Sequence, residues 1–228
     1  MPIPAVIAAI LAILGLLGGA FVIAVNWDAI VLALTGKTLA VLGSQAVGKT
    51  TLIRFITEGT ISEQYEATAG TVKTSGRRFA LKELRLDVAD GRDVGGGQDN
   101  YGQWSKLVQQ ADYVLYLIRY DQLAQPDHAE RVRSDLGQIT GWLAARATRP
   151  PFWLIITHVD LDPKYRHPDD EARKRLANEL AQHPLLREVL IKGRNGDARG
   201  GLVVGSLRSP QDAELLVAWW LGQVGGAS

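Results

Sequence analysis

The stretch Gly43-Ser44-Gln45-Ala46-Val47-Gly48-Lys49-Thr50, followed by Thr51, is a complete G-x-x-x-x-G-K-[ST] loop, and its setting constrains this chain more than any other feature. Before it, Thr38–Leu42 is a short apolar run suited to a buried parallel strand; after it, Thr51–Ile56 opens a helix. A loop between strand and helix turns successive backbone N–H groups toward one point, and the helix N-terminus adds partial positive charge there. Lys49 then reaches the β- and γ-phosphates of a nucleotide, and the Thr50 hydroxyl is offered to Mg²⁺. A chance match at a Gly-rich turn would not bring strand, loop and helix into register. The expected ligand is a nucleoside triphosphate, held by residues 43–51.

At 228 residues the chain has room for one domain of ordinary size and a small appendage. Its net charge of +1, with no Lys/Arg cluster, excludes a basic nucleic-acid footprint. The absence of cysteine excludes disulfides, thiolate metal sites and Cys nucleophiles. Four scattered histidines (His128, His158, His167, His183) show no metal-ligand spacing.

From Ile3 to Val25 run 23 consecutive residues without a charged or hydrogen-bonding side chain. A helix of about 20 apolar residues spans a bilayer core. A cleaved signal peptide fits poorly, because no Lys or Arg precedes the run and the run exceeds the usual apolar length. A core helix of a soluble domain is rarely apolar on every side. The expectation is a single-pass membrane anchor, with Trp27 at the interface. Gly15/Gly19 and neighbouring alanines share a small-xxx-small spacing, which here reads as anchor composition rather than as self-association. Nucleoside triphosphates are cytosolic, so the domain that follows should face the cytoplasm. The chain divides into an anchor and junction at 1–36 and a nucleotide-binding domain at 37–228.

Beyond Lys37 strands and helices alternate. Strands are expected at Thr38–Leu42, around Arg78–Val88, at Tyr113–Ile118, at Phe152–Thr157 and at Gly201–Gly205. Helices are expected at Thr50–Thr57, Tyr101–Gln110, Ala129–Arg146, Pro168–Gln182 and Pro210–Val224. Such alternation implies an α/β fold with a doubly wound, mostly parallel sheet and ligands at the strand C-termini.

The fourth apolar strand ends in Thr157-His158-Val159-Asp160, a T-x-x-D tetrapeptide. Here the chain resembles the Ras-like small GTPases, whose base-reading motif in this position is N/T-K-x-D. The resemblance implies that the Asp160 carboxylate accepts two hydrogen bonds from guanine, where adenine would present an acceptor. Thr157 matches a tolerated variant of the family Asn, and His158 replaces a Lys whose stem covers the base. Val203-Val204-Gly205-Ser206-Leu207 resembles the loop whose backbone contacts guanine O6, giving Ser206 and Leu207 that role.

Two switch segments are implied between the phosphate loop and the base motif. Tyr65-Glu-Ala-Thr68-Ala-Gly70 resembles the first, and Thr68 follows Thr50 by 18 residues, the usual family offset. Thr68 would bring its hydroxyl to Mg²⁺ and its N–H to the γ-phosphate, so that loss of that phosphate releases the loop. Asp93-Val-Gly-Gly96-Gly-Gln98-Asp resembles the Arf-type D-V-G-G-Q-D with one extra Gly. On that match Asp93 holds Mg²⁺ through water, the Gly96 N–H binds the γ-phosphate and Gln98 orients the attacking water. Asp87-x-x-x-Gly91 is a second possible placement of the same switch, with altered spacing.

The resemblance runs from Lys37 to about Val224. It implies a membrane-anchored small GTPase that binds GTP or GDP with Mg²⁺ and answers to regulatory or effector proteins. The layout is similar to the β subunit of the signal-recognition-particle receptor, which also places an anchor before an Arf-like domain. Two other readings stay open: a GTP-dependent docking module with little hydrolysis, favoured by Gln45 in the loop, and a P-loop ATPase.

Overall fold

Runs such as Leu39-Ala-Val-Leu42 and Val114-Leu-Tyr-Leu-Ile118 are apolar at every position, as a strand must be when helices cover both of its faces. The computed structural model describes residues 34–58, 87–89, 101–165, 170–194 and 200–226. Among the described residues five strands form one sheet: β1 (Thr38–Gly43), β2 (Asp87–Ala89), β3 (Tyr113–Arg119), β4 (Phe152–Thr157) and β5 (Gly200–Val204). Their order is β2-β1-β3-β4-β5, and every neighbouring pair is parallel.

Among the described residues six α-helices surround the sheet: α1 (Lys49–Glu58), α2 (Tyr101–Gln110), α3 (Pro126–Ala144), α4 (Asp170–Ala181), α5 (Pro184–Arg194) and α6 (Pro210–Gly226). Strand residues alternate between two cores with period two. Leu39, Val41, Leu115, Leu117, Trp153, Ile155 and Val203 pack with α1 and α6. Ala40, Leu42, Val114, Tyr116, Ile118, Leu154, Ile156 and Val204 pack with α2, α3, α4 and α5. The helix after β1 therefore covers one face and the helix after β2 the other. The crevice between β1 and β3 is the switch point at which an open α/β sheet offers a ligand site.

The expected strands at 38–42, 113–118, 152–157 and 201–205 are all present, and the expected helix at 101–110 has the expected ends. Of the expected strand around 78–88, the described part is β2. Helix α3 begins three residues earlier than expected, because Pro126 occupies a first-turn position where its missing N–H costs nothing. Helix α5 was not anticipated. His183-Pro184 reads as a stop after α4, yet Pro184 also starts a new helix, with the Leu185 N–H donating to His183 Nδ1 at 3.3 Å. The apolar run 3–25, Thr68, Asp93, Gly96 and Gln98 lie outside the described residues. Among the described residues, no helix is long and apolar enough to cross a membrane.

Candidate functional site

The phosphate loop joins β1 to α1 with three positive φ values, at Gly43 (+146°), Ala46 (+60°) and Gly48 (+94°). Positive φ favours glycine at both Gly43 and Gly48, and at Gly43 a backbone atom also leaves no room for a side chain. A Cβ on Gly43 would stand 2.7 Å from the Leu117 carbonyl oxygen, and one on Gly48 would stand 2.7 Å from Leu207 Cδ1. Val47 is buried beneath the loop, whereas Gln45, Ala46 and Thr50 are exposed and Thr51 is half-buried. Ser44 is buried. Lys49 Nζ donates to Gly43 O at 2.8 Å and to Ser44 O at 2.7 Å, drawing the lysine across the mouth of the loop. Burial lowers the Lys49 pKa to about 8; Asp135 opposes that shift and Arg131 adds to it. A phosphate group there would supply the negative charge the ammonium lacks.

The base motif is bound to the phosphate loop by one hydroxyl. Thr157 is fully buried at the end of β4, and its Oγ1 donates to Val47 O at 2.9 Å, with Ile118 O at 3.3 Å as a second acceptor. A hydroxyl has a single proton and both carbonyls can only accept. Thr157 Oγ1 also lies 2.9 Å from His158 Nδ1, which ties the imidazole to the same hydroxyl. Burial holds the imidazole below its usual pKa, and the neighbouring Arg119 charge adds to that. His158 is also left-handed, φ 61° and ψ 27°, which turns the chain into a 3₁₀ turn at Val159–Leu161.

Asp160 lies in that turn, 9% exposed, and its carboxylate makes no hydrogen bond among the described residues. An ionised carboxylate only accepts, so its two oxygens suit a ligand edge that presents paired donors. The turn is fixed to the β5 end by Gly205 N–H donating to Ile156 O at 2.9 Å and Val159 N–H donating to Gly205 O at 3.4 Å. Ser206 Oγ accepts the Arg208 N–H at 3.0 Å, which curls the following loop, and buried Leu207 reaches Gly48. The phosphate loop, Thr157–Asp160 and Ser206–Leu207 thus converge on the C-terminal edge of the sheet.

Asp87 does not join them. Its register partner is Thr38, the first residue of β1, whereas the loop begins at Gly43. Five residues of strand, about 16 Å, separate the two ends. The register sets the backbone of Asp87 opposite the start of β1, five residues from the phosphate loop, and so does not favour the second placement of the switch.

The residues present fit Mg²⁺. This cation keeps waters and phosphate oxygens in most of its coordination shell and needs few protein ligands. The exposed Thr50 hydroxyl beside Lys49 suits that role, and among the described residues no group of three His, Asp or Glu side chains forms an all-protein metal cage. One neighbour was missed in the sequence. Arg119, opposite Thr157 in register, forms a two-point ion pair with Asp121: Nε to Oδ1 at 3.0 Å and Nη2 to Oδ2 at 2.7 Å. Only the pairing of β3 with β4 brings that charge to the base motif.

Residues 38–184 match the sequence model of the Ras family. Among solved structures the chain is similar to an ADP-ribosylation-factor-like GTP-binding protein, the small COPII coat GTPase SAR1 of Encephalitozoon cuniculi, in complex with GDP. The TM-score is 0.50 and the identity 13%, over 95% of this chain and 91% of that one, a likeness of fold. No curated protein gives a significant match. The family match spans more than half of the sequence and contains both the phosphate loop and the base motif: the chain belongs to the Ras family of small GTPases.

Proposed function

We propose that this chain is a membrane-anchored switch that binds GTP with Mg²⁺ and hydrolyses it slowly to GDP. The observation that carries the reading is the buried Thr157 hydroxyl on Val47 O, which makes the base motif and the phosphate loop one unit. Lys49 partners the β- and γ-phosphates, and the N–H groups of 43–51 surround them. Thr50, Thr68 and Asp93 serve the cation; Gly96 and Gln98 serve the γ-phosphate and the attacking water. Asp160, His158, Ser206 and Leu207 read the base. The apolar run 3–25 anchors the domain 37–228 on the cytoplasmic side, a layout similar to that of the signal-recognition-particle receptor β subunit. Bound Mg²⁺ would supply charge neutralisation at the phosphates.

Base choice tests the reading directly. Adenine would leave the Asp160 acceptors facing an acceptor, a penalty of about 1–3 kcal/mol per unpaired group. GTP is expected to displace a labelled guanine nucleotide at least tenfold better than ATP, and Asp160→Asn is expected to shift preference toward xanthosine triphosphate. Equal competition by ATP would sink the proposal. Exposed Gln45 on the loop favours a second reading, a docking module that holds GTP with little turnover. Single-turnover hydrolysis of saturating GTP, in the wild type and in Gln98→Leu, separates the two.

A further inference from the structure

A pocket of about 460 Å³ opens beside the base motif, and none of its lining residues belongs to the nucleotide site described above. Three segments wall it. The 3₁₀ turn after β3 supplies Tyr120 and Asp121, the turn after β4 supplies Leu161 and Asp162, and the end of α4 supplies Leu180. The buried part of the wall is apolar, with Leu123 6% and Leu180 7% exposed. At the rim Leu161 is 53% exposed, the one large hydrophobic residue so open among the described residues. An apolar pocket with a few convergent polar groups is the usual form of a binding site.

Charge decides what such a pocket can take. Its lining contains two carboxylates and no Lys or Arg. Asp121 is already held by Arg119 in the two-point ion pair. Asp162 is held only by neutral donors: Tyr120 Oη donates to its Oδ2 at 3.2 Å and the Lys164 N–H donates to its Oδ1 at 3.0 Å. Among the described residues no side-chain cation forms an ion pair with it. His183, also in the lining, accepts the Leu185 N–H on Nδ1, and a nitrogen that accepts carries no proton, so that ring brings no positive charge. Burial first, then the Asp162 carboxylate, pushes the Tyr120 phenol up to about 12, so it stays a donor. The Tyr165 ring meets Tyr120 edge-on, centroids 6.0 Å apart at 87°, and steadies this aromatic wall.

An uncompensated carboxylate on the rim of an apolar pocket calls for a cation on an apolar stem, and its sign turns away phosphate-bearing surfaces. Arginine suits it better than lysine, because a planar guanidinium can fork onto a carboxylate while lying against an aromatic ring. We propose that this pocket is a docking site for a protein partner that inserts an arginine flanked by aliphatic side chains. The guanidinium meets Asp162 and Tyr120, and the aliphatic neighbours cover Leu161. Leu161 shares its 3₁₀ turn with Asp160, so a partner seated there rests against the base loop. The proposal does not rest on the chain's being a GTP hydrolase.

The probe is an acetylated and amidated Leu-Arg-Leu tripeptide, compared with Leu-Gln-Leu and Leu-Glu-Leu in titrations of the full chain. The Arg peptide should bind saturably, with a Kd of about 1 mM or tighter, and the Glu peptide at least about tenfold more weakly. Asp162→Asn should weaken the Arg peptide about fivefold and abolish its advantage over the Gln peptide. Leu161→Ser should weaken the Arg and Gln peptides alike, by about fivefold. Leu161 is exposed, so this variant keeps the test open even if Asp162→Asn disturbs the turn. Absence of binding, equal affinity for the Arg and Glu peptides, or wild-type affinity in Leu161→Ser overturns the proposal. So does a concentration-dependent dimer of the full chain that Leu161→Ser abolishes, which would give the pocket to a second copy.

Discussion

The phosphate loop and the base loop lie side by side and are built by opposite means. The first is shaped by its backbone: φ is positive at Gly43, Ala46 and Gly48, and Lys49 binds the loop's own carbonyls. The second has one left-handed residue, His158, and is held by a side chain, the Thr157 hydroxyl. Every nucleotide carries the same phosphates, which converging N–H groups can bind without side-chain discrimination. Bases differ only in their edges, so telling them apart needs a carboxylate in a fixed place. The contrast teaches where each loop is vulnerable: one to a methyl group, the other to the loss of a hydroxyl.

Gly43→Ala should strike the backbone-built loop hardest. The new Cβ meets a carbonyl of the neighbouring strand at 2.7 Å and Val47 Cγ2 at 2.9 Å, neither of which is the tip of a flexible side chain. With the positive φ added, the loss should be about 2–4 kcal/mol of stability, together with nucleotide binding. Thermal melts of the empty and GDP-loaded protein measure both, and a stability change within about 0.5 kcal/mol would contradict the backbone account.

Thr157→Val tests the side-chain-built loop with nearly the same volume. It leaves the Val47 carbonyl without its donor, at about 1–3 kcal/mol, and should weaken GDP binding about tenfold because the two loops no longer share a tie. Thr157→Ser should restore most of the affinity in calorimetry. A GDP affinity unchanged by Val would mean that the loops act independently.

The smallest expected effect is on pH. The folded-state pKa of Lys49 is lowered from 10.5 to about 8, so between those values the unfolded chain binds more protons than the folded one. Stability of the empty domain should therefore rise with pH across that window. Nucleotide affinity should move the other way, falling above pH 8 as the ammonium is lost. Lys49→Met should flatten both trends relative to wild type in melts and binding titrations between pH 7.5 and about 9.5. Parallel trends in wild type and variant would assign the pH dependence to other groups.

Much of this was legible in the sequence, because the signals were local. The apolar runs marked β1, β3, β4 and β5, and the G-x-x-x-x-G-K-T spacing marked the loop that β1 feeds. What stayed hidden was tertiary. Val47 and Thr157 are 110 residues apart, and nothing near either residue announces the bond between them. Tyr101, Tyr116 and Asp135 look separately like two core aromatics and one solvated helix acid; only the packing of α2 and α3 over β3 makes them a cluster. Helix α5 was missed for a different reason, since a proline that ends one helix can begin the next.

Because all five strands run the same way, the sheet has poles. The chain enters β1 at one pole, where the Thr38 N–H is held by Asp112 Oδ2, and the nucleotide cleft opens at the other. The six residues of β1 put about 20 Å between them. The end of the sheet where the chain enters β1 and the end where the phosphate loop opens are therefore opposite one another. A partner bound over the nucleotide cleft would thus leave the β1 entry, with its Asp112–Thr38 bond, uncovered.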